Sequence, residues 1–146
     1  MLKDKKLELP TGGIYLMTNI VRHRERCLDN KLTLIGLTLP EWRVLRIIHS
    51  FNDAIPMSVL IEHSQTDRTA LGRTVERLVA RGWVEKLPHA NDKRAFLVKR
   101  LDAMEDTFKK AYDLVAEYDN NLLVNLTDEE HAVFINTLIQ IEKLTT

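Results

Sequence analysis

One cysteine, four prolines and five glycines stand among 146 residues. A lone Cys27 forms no internal disulfide, so a packed core must hold the chain, and a cytoplasmic location is expected. The small share of proline and glycine argues against a collagenous or low-complexity chain. The longest run free of Asp, Glu, Lys and Arg is Leu9–Val21, 13 residues that include Pro10, Gly12 and Gly13. A membrane span needs about 20 apolar residues, so none is expected. No apolar stretch of signal-peptide type follows the basic start at Lys3, Lys5 and Lys6. Nucleophile elbow, phosphate loop and metalloprotease signature are all missing. His49, His63, His89 and His131 show no metal-type spacing with each other or with Cys27. Glu129-Glu130 lies in a helix-capping turn, where acids complement the helix dipole. The expectation is a non-enzyme with no metal and no cofactor. At this length one domain, 1–146, is expected.

The formal net charge is also zero, yet it hides an asymmetry. Residues 1–55 carry net +3, residues 56–100 net +4 and residues 101–146 net −7. A partner within a Debye length feels the local field rather than the total. The middle segment is therefore the candidate surface for an anionic partner.

What the chain does have is helical periodicity. Ile14, Met17, Ile20, Val21 and Leu28 recur at helical spacings from Ile14 to about Leu32, after a lead-in at Pro10, Thr11, Gly12 and Gly13. Thr38-Leu39-Pro40-Glu41 reads as a capping box with proline in the first turn. The helix it starts carries Trp42, Leu45 and Ile48 on its apolar face. Pro56 opens a short helix from Met57 to about His63, and Ser64-Gln65-Thr66 forms a turn. A fourth helix runs from Asp67 to about Arg81, stopped by Gly82. Trp83–Leu87 and Ala95–Lys99 read as the strands of a hairpin, with Pro88–Arg94 as its polar loop. Leu101, Met104, Phe108, Ala111, Val115, Tyr118 and Leu122 then follow at alternating spacings of three and four, a heptad-type seam. The seam reads either as ordinary core or as a dimer contact; its length exceeds what a small lobe needs to cover, which favours dimerisation. Thr127 to Glu130 is a second capping box, ahead of a last helix reaching about Leu144.

Two helices joined by a short turn, then a hairpin with a basic tip, make a winged helix-turn-helix. At 100° per residue, Leu71, Val75, Leu78 and Val79 cluster on the packed side of the fourth helix. Thr66, Thr69, Ala70, Arg73 and Arg77 occupy the opposite side. Threonine hydroxyls reach phosphates or bases, alanine touches a thymine methyl, and arginine forks onto guanine. The start of the helix presents free N–H groups to phosphate. Arg68 falls toward the packed side but lies in the first turn, from which it swings to a phosphate. Asp92, Lys93 and Arg94 occupy the hairpin tip. An arginine there suits the narrow, negative minor groove, and Asp92 is placed to hold its guanidinium. The DNA-facing set is thus Thr66, Arg68, Thr69, Ala70, Arg73, Arg77, Asp92, Lys93 and Arg94. Against it stands an ordinary solvated face.

Residues 38–101 resemble the MarR family of bacterial winged helix-turn-helix transcription regulators. The resemblance rests on Leu37-Thr38-Leu39-Pro40-Glu41-Trp42, on the stretch from Asp67 to Glu85 with Arg77-Leu78 and Gly82-Trp83-Val84, and on Asn91-Asp92-Lys93-Arg94-Ala95. Two positions depart from the family pattern. His89-Ala90 stands where Asp-Pro is common, and Leu101-Asp102-Ala103-Met104-Glu105 stands for Leu-Thr-x-x-Gly, with Asp102 still able to cap a helix. The resemblance implies a mainly α fold with a small β wing, with 36–100 as DNA-binding lobe and 1–35 and 101–146 as dimerisation helices. It implies a homodimer that binds double-stranded DNA at a pseudo-palindrome, as repressor or activator. It also implies a small aromatic or phenolic effector, for which Tyr15, Trp42, Arg46 and His49 are candidate lining residues; each is equally readable as core or surface. Cys27, four residues after His23 on the same helix face, is a candidate oxidant-sensing thiol in some relatives' manner, or simply a small buried hydrophobe. The alternatives to an effector-released regulator are therefore a winged-helix protein-interaction module and a thiol-based redox regulator.

Overall fold

The computed structural model describes residues 12–145. The basic start at Lys3, Lys5 and Lys6 and the lead-in at Pro10 and Thr11 lie outside them. The chain divides into two compact units, Met1–Ala111 and Tyr112–Thr146, and the division falls inside a helix.

In the first unit, α1 (Gly13–Thr33) is followed by α2 (Leu39–His49), β1 (Ile55–Pro56), α3 (Met57–Ser64), α4 (Arg68–Ala80), β2 (Val84–His89) and β3 (Asp92–Arg100). A single 3-10 turn, Asp102–Met104, leads into α5 (Glu105–Leu123). The predicted capping box forms in full at α2. The Thr38 hydroxyl accepts the Glu41 N–H at 3.2 Å, and Glu41 Oε1 accepts the Thr38 N–H at 3.0 Å. Gly82, at φ 72°, ends α4 with the two back-bonds of a Schellman turn, Gly82 N–H to the Val79 carbonyl and Trp83 N–H to the Leu78 carbonyl.

The sheet has three antiparallel strands in the order β1-β3-β2. The hairpin extends further than its polarity suggests. Pairing runs from Val84 opposite Arg100 to His89 opposite Asp92, so only Ala90 and Asn91 turn the chain. Polar side chains on a solvated hairpin do not stop the backbone from pairing. β1 has no periodicity to announce it, being two residues long, and exists because Ile55 and Pro56 lie beside Val98 and Leu97.

Leu28, Leu32, Leu45, Ile48, Leu60, Leu71, Val75, Leu78, Val84, Val98 and Met104 form the buried core of this unit. Phe108 is buried with them and stacks on Trp42, with ring centroids 5.3 Å apart, and on His49 at 3.8 Å. The first half of the heptad seam, Met104, Phe108 and Ala111, therefore belongs to the chain's own core. For this half the core reading holds over the dimer-contact one. Asp102 does not cap α5 either. It opens the 3-10 turn, and Leu101 precedes that turn with no side-chain cap.

One polar clasp penetrates the core. Glu41 is 4% exposed. Its Oε2 accepts a hydrogen bond from Arg81 Nη1 at 3.2 Å. The same guanidinium donates to the Gly36 carbonyl and lies 3.7 Å over the Trp83 ring. The start of α2 is thereby tied to the end of α4.

The second unit holds the remainder of α5 and α6 (Asp128–Glu142), which ends in a 3-10 turn, Lys143–Thr145. The capping box at Thr127 and Glu130 forms as predicted, both bonds at 3.1 Å. No side chain of α6 is buried, and Val133, Phe134, Ile135 and Ile139 are exposed.

Candidate nucleic-acid interface

Three residues, 65–67, separate α3 from α4, with Gln65 in the left-handed conformation. Asp67 is its N-cap and accepts the Ala70 N–H at 2.9 Å. That amide is taken by the cap, which reduces the set of N–H groups expected to face a phosphate to those ahead of it in the first turn. Leu71, Val75 and Leu78 are buried as the helical wheel places them. Thr74 is buried too, and Val79 only half so. The Thr74 hydroxyl donates to the Ala70 carbonyl and accepts from Arg77 Nη2, each at 3.1 Å, so Arg77 is steered from beneath. Thr66, Thr69, Arg73 and Arg77 are exposed, while Ala70 is half-buried. The Thr66 hydroxyl donates to the Ser64 carbonyl at 3.1 Å.

Two grooves flank this face. One, of about 230 Å³, is lined by Thr66, Ala70, Arg73 and Arg77 together with Pro40, Arg43 and Val44 of α2. Its lining contains three guanidinium groups and no carboxylate. The other, of about 330 Å³, is lined by Arg68 and Gly72 of α4, Met57 and Ser58 of α3, and His89, Asp92, Arg94 and Phe96 of the wing. Arg68 is thus exposed and faces the wing, not the packed side. In the first turn of α4 the side toward the body is an open groove.

At the wing tip Asp92, Lys93 and Arg94 are all exposed. Asp92 Oδ1 accepts the backbone N–H of Arg94 at 2.9 Å. It fixes the strand at this point rather than the guanidinium, which corrects the expected Asp92–Arg94 side-chain pair. Glu76, the acid at the margin of the outward face, pairs with Lys86 of β2. Lys86 also lies 4.3 Å from the Phe96 ring centroid. The pair neutralises the acid and ties α4 to the wing.

The effector candidates separate. Trp42 and Arg46 line a cleft of about 540 Å³ with Arg24, Glu25, Arg43, His63 and Thr66. Tyr15 and His49 are not among its lining residues. Tyr15 is exposed on α1. The His49 ring is stacked on Phe108, with Nε2 3.5 Å from a Glu105 oxygen. Cys27 is half-buried, its Sγ 3.4 Å from His23 Nε2. Among the described residues no group of three or more His, Cys, Asp or Glu is placed to hold a metal ion. No described helix is long and apolar enough to cross a membrane. Arg43, which the sequence does not single out, also lines the groove beside α4 and is exposed between the buried Trp42 and Val44.

Known proteins resemble the chain in sequence and in fold. The MarR family model matches residues 35–95. The multiple antibiotic resistance protein MarR of Escherichia coli is 33% identical over 125 residues, 85% of each chain. Its namesake in Salmonella typhimurium is 35% identical over 91 residues, 62% of this chain and 61% of that protein. The crystal structure of apo wild-type MarR from Escherichia coli superposes with a TM-score of 0.76 at 29% identity, over 91% of this chain and 98% of the other. A cysteine-to-serine variant of that protein, complexed with operator DNA, gives 0.76 at 30% identity over 87% and 91%. Matched at 33% identity over 85% of its length and superposing on a solved relative over 91% of it, the chain belongs to the MarR family of transcription regulators, a family of non-enzymes.

Proposed function

We propose that the protein is a homodimeric regulator that binds a pseudo-palindromic operator, with α4 in the major groove and the wing over the adjacent minor groove. The observation that carries this is the exposed row Thr66, Thr69, Arg73 and Arg77, continued through Arg68 to Arg94 of the wing. Threonine and arginine are the side chains that hydrogen-bond base edges and phosphates, and the marginal acid is already neutralised by Lys86. The relative solved with operator DNA supports the same partner. A dimer is supported by the apolar side chains that α1 leaves exposed, Ile14, Leu16, Ile20 and Val21, and by those on α6. Monomers rarely keep so many on show. Two reading heads then meet half-sites roughly 34–36 Å apart.

The proposal extends to a small aromatic effector in the cleft that holds Trp42 and Arg46, where an indole edge and a guanidinium suit an aromatic acid or phenol. In vitro selection of bound duplexes, footprinting and light scattering test the reading. Enrichment of an inverted repeat with helical-turn phasing by a dimer is expected. A monomer at micromolar concentration, or no enrichment at all, would overturn it.

A further inference from the structure

We infer that Arg43 of α2 is a phosphate-contacting residue, extending the DNA interface beyond α4 and the wing, and that Glu25 of α1 competes with the phosphate for it. This rests on the DNA-binding reading above. Arg43 lines the same groove as Arg73 and Arg77, where Ser64 and Thr66 are close by and no carboxylate faces in. Three guanidinium groups around one concavity repel one another and attract an anion. Arg43 departs from the other two in its partner. Its Nη2 donates to Glu25 Oε1 at 2.8 Å, with both side chains 42% exposed. An ion pair this exposed is weak, because water screens it and two long side chains must be held still. A phosphate offers the same guanidinium a charge-assisted, bidentate acceptor and releases a counterion. The exchange breaks nothing structural. Asp29 Oδ1 accepts the Leu39 N–H at 3.1 Å, so α1 and α2 stay joined without the Glu25–Arg43 pair. Glu25 belongs to the lining of the neighbouring cleft and not to the groove, so it holds Arg43 from outside the proposed contact surface.

The test uses the full chain and a DNA duplex of mixed sequence, since phosphate contacts need no operator. Salt titrations compare the parent with Arg43→Gln, Arg43→Lys, Glu25→Gln and the Glu25→Gln/Arg43→Gln pair, each checked for an unchanged thermal melt. Arg43→Gln is expected to flatten the log–log salt slope by about 0.9 per protomer and to weaken binding by roughly three- to tenfold at low salt. Arg43→Lys keeps the slope, as a point charge still neutralises a phosphate. Glu25→Gln tightens binding by roughly two- to threefold, and that gain vanishes when Arg43→Gln is present. A parent chain that binds no duplex overturns the DNA-binding reading itself. A parent that binds, with an unchanged slope in Arg43→Gln, overturns this inference alone. So does a Glu25→Gln gain of equal size with and without Arg43, which would mark simple removal of a distant negative charge.

Discussion

Replacing Arg81 by methionine should destabilise the protein more than its half-exposed position suggests. The loss falls on Glu41, whose side chain is 5% exposed and whose Oε2 receives the Arg81 guanidinium. Removing one partner of a buried ion pair costs about 3–5 kcal/mol, since the other charge is left uncompensated. Here the Arg81 side chain is 35% exposed, so water already weakens the pair and the figure falls to about 2 kcal/mol. Loss of the stacking on Trp83 adds about 0.5–1 kcal/mol. Glu41→Gln is milder, at about 1–2 kcal/mol, because its amide oxygen still accepts the Thr38 N–H and only the bond to Arg81 is lost. Combined with Arg81→Met, it removes the stranded charge. The double variant should then be more stable than the sum of the singles predicts, by about 1 kcal/mol. Urea unfolding at fixed protein concentration measures all three, with an unchanged m-value as the condition for comparison. Additivity within about 0.5 kcal/mol would refute the clasp as a coupled unit.

Phe108→Ala should lower stability by about 3–5 kcal/mol, because it empties a buried site between Trp42 and His49; the same urea assay reads it. Asp67→Ala removes the α4 cap and should cost about 1 kcal/mol, read as a lower melting temperature. Arg73→Ala should relax base preference at one operator position by about 1–3 kcal/mol. Arg94→Ala should instead weaken all sequences, more so where the minor groove is narrow. Selection profiles of both variants distinguish the two roles.

Features set by a few neighbouring residues were legible in the sequence. Both capping boxes need only four residues each, and the Gly82 stop needs one, so they survive any tertiary context. Features that depend on distant partners were not. β1 is a strand only because β3 lies alongside, and nothing within Ile55-Pro56 encodes that. The heptad seam has the same spacing whether it packs on its own lobe or on a second copy, so period alone did not reveal that Phe108 belongs under Trp42. Arg68 shows the limit of the helical wheel. The wheel assigns it to the packed side, but the wing leaves a groove there. Asp92 shows the limit of spacing, because two residues' separation suits a backbone bond as well as a side-chain pair.

Arg43, Ser64 and Thr66 line both the groove beside α4 and the larger cleft that holds Trp42. Two compartments with a common partition are not thermodynamically independent. A guest that displaces those three side chains from one side changes the affinity for whatever lies on the other. Reciprocity then requires DNA to alter the guest's affinity by the same factor. A tight-binding guest that leaves the partition unmoved would be silent toward DNA, however well it fits. Screening small molecules for the strongest binder would therefore select on the wrong quantity. The informative measurement is the ratio of a compound's dissociation constants with and without duplex present.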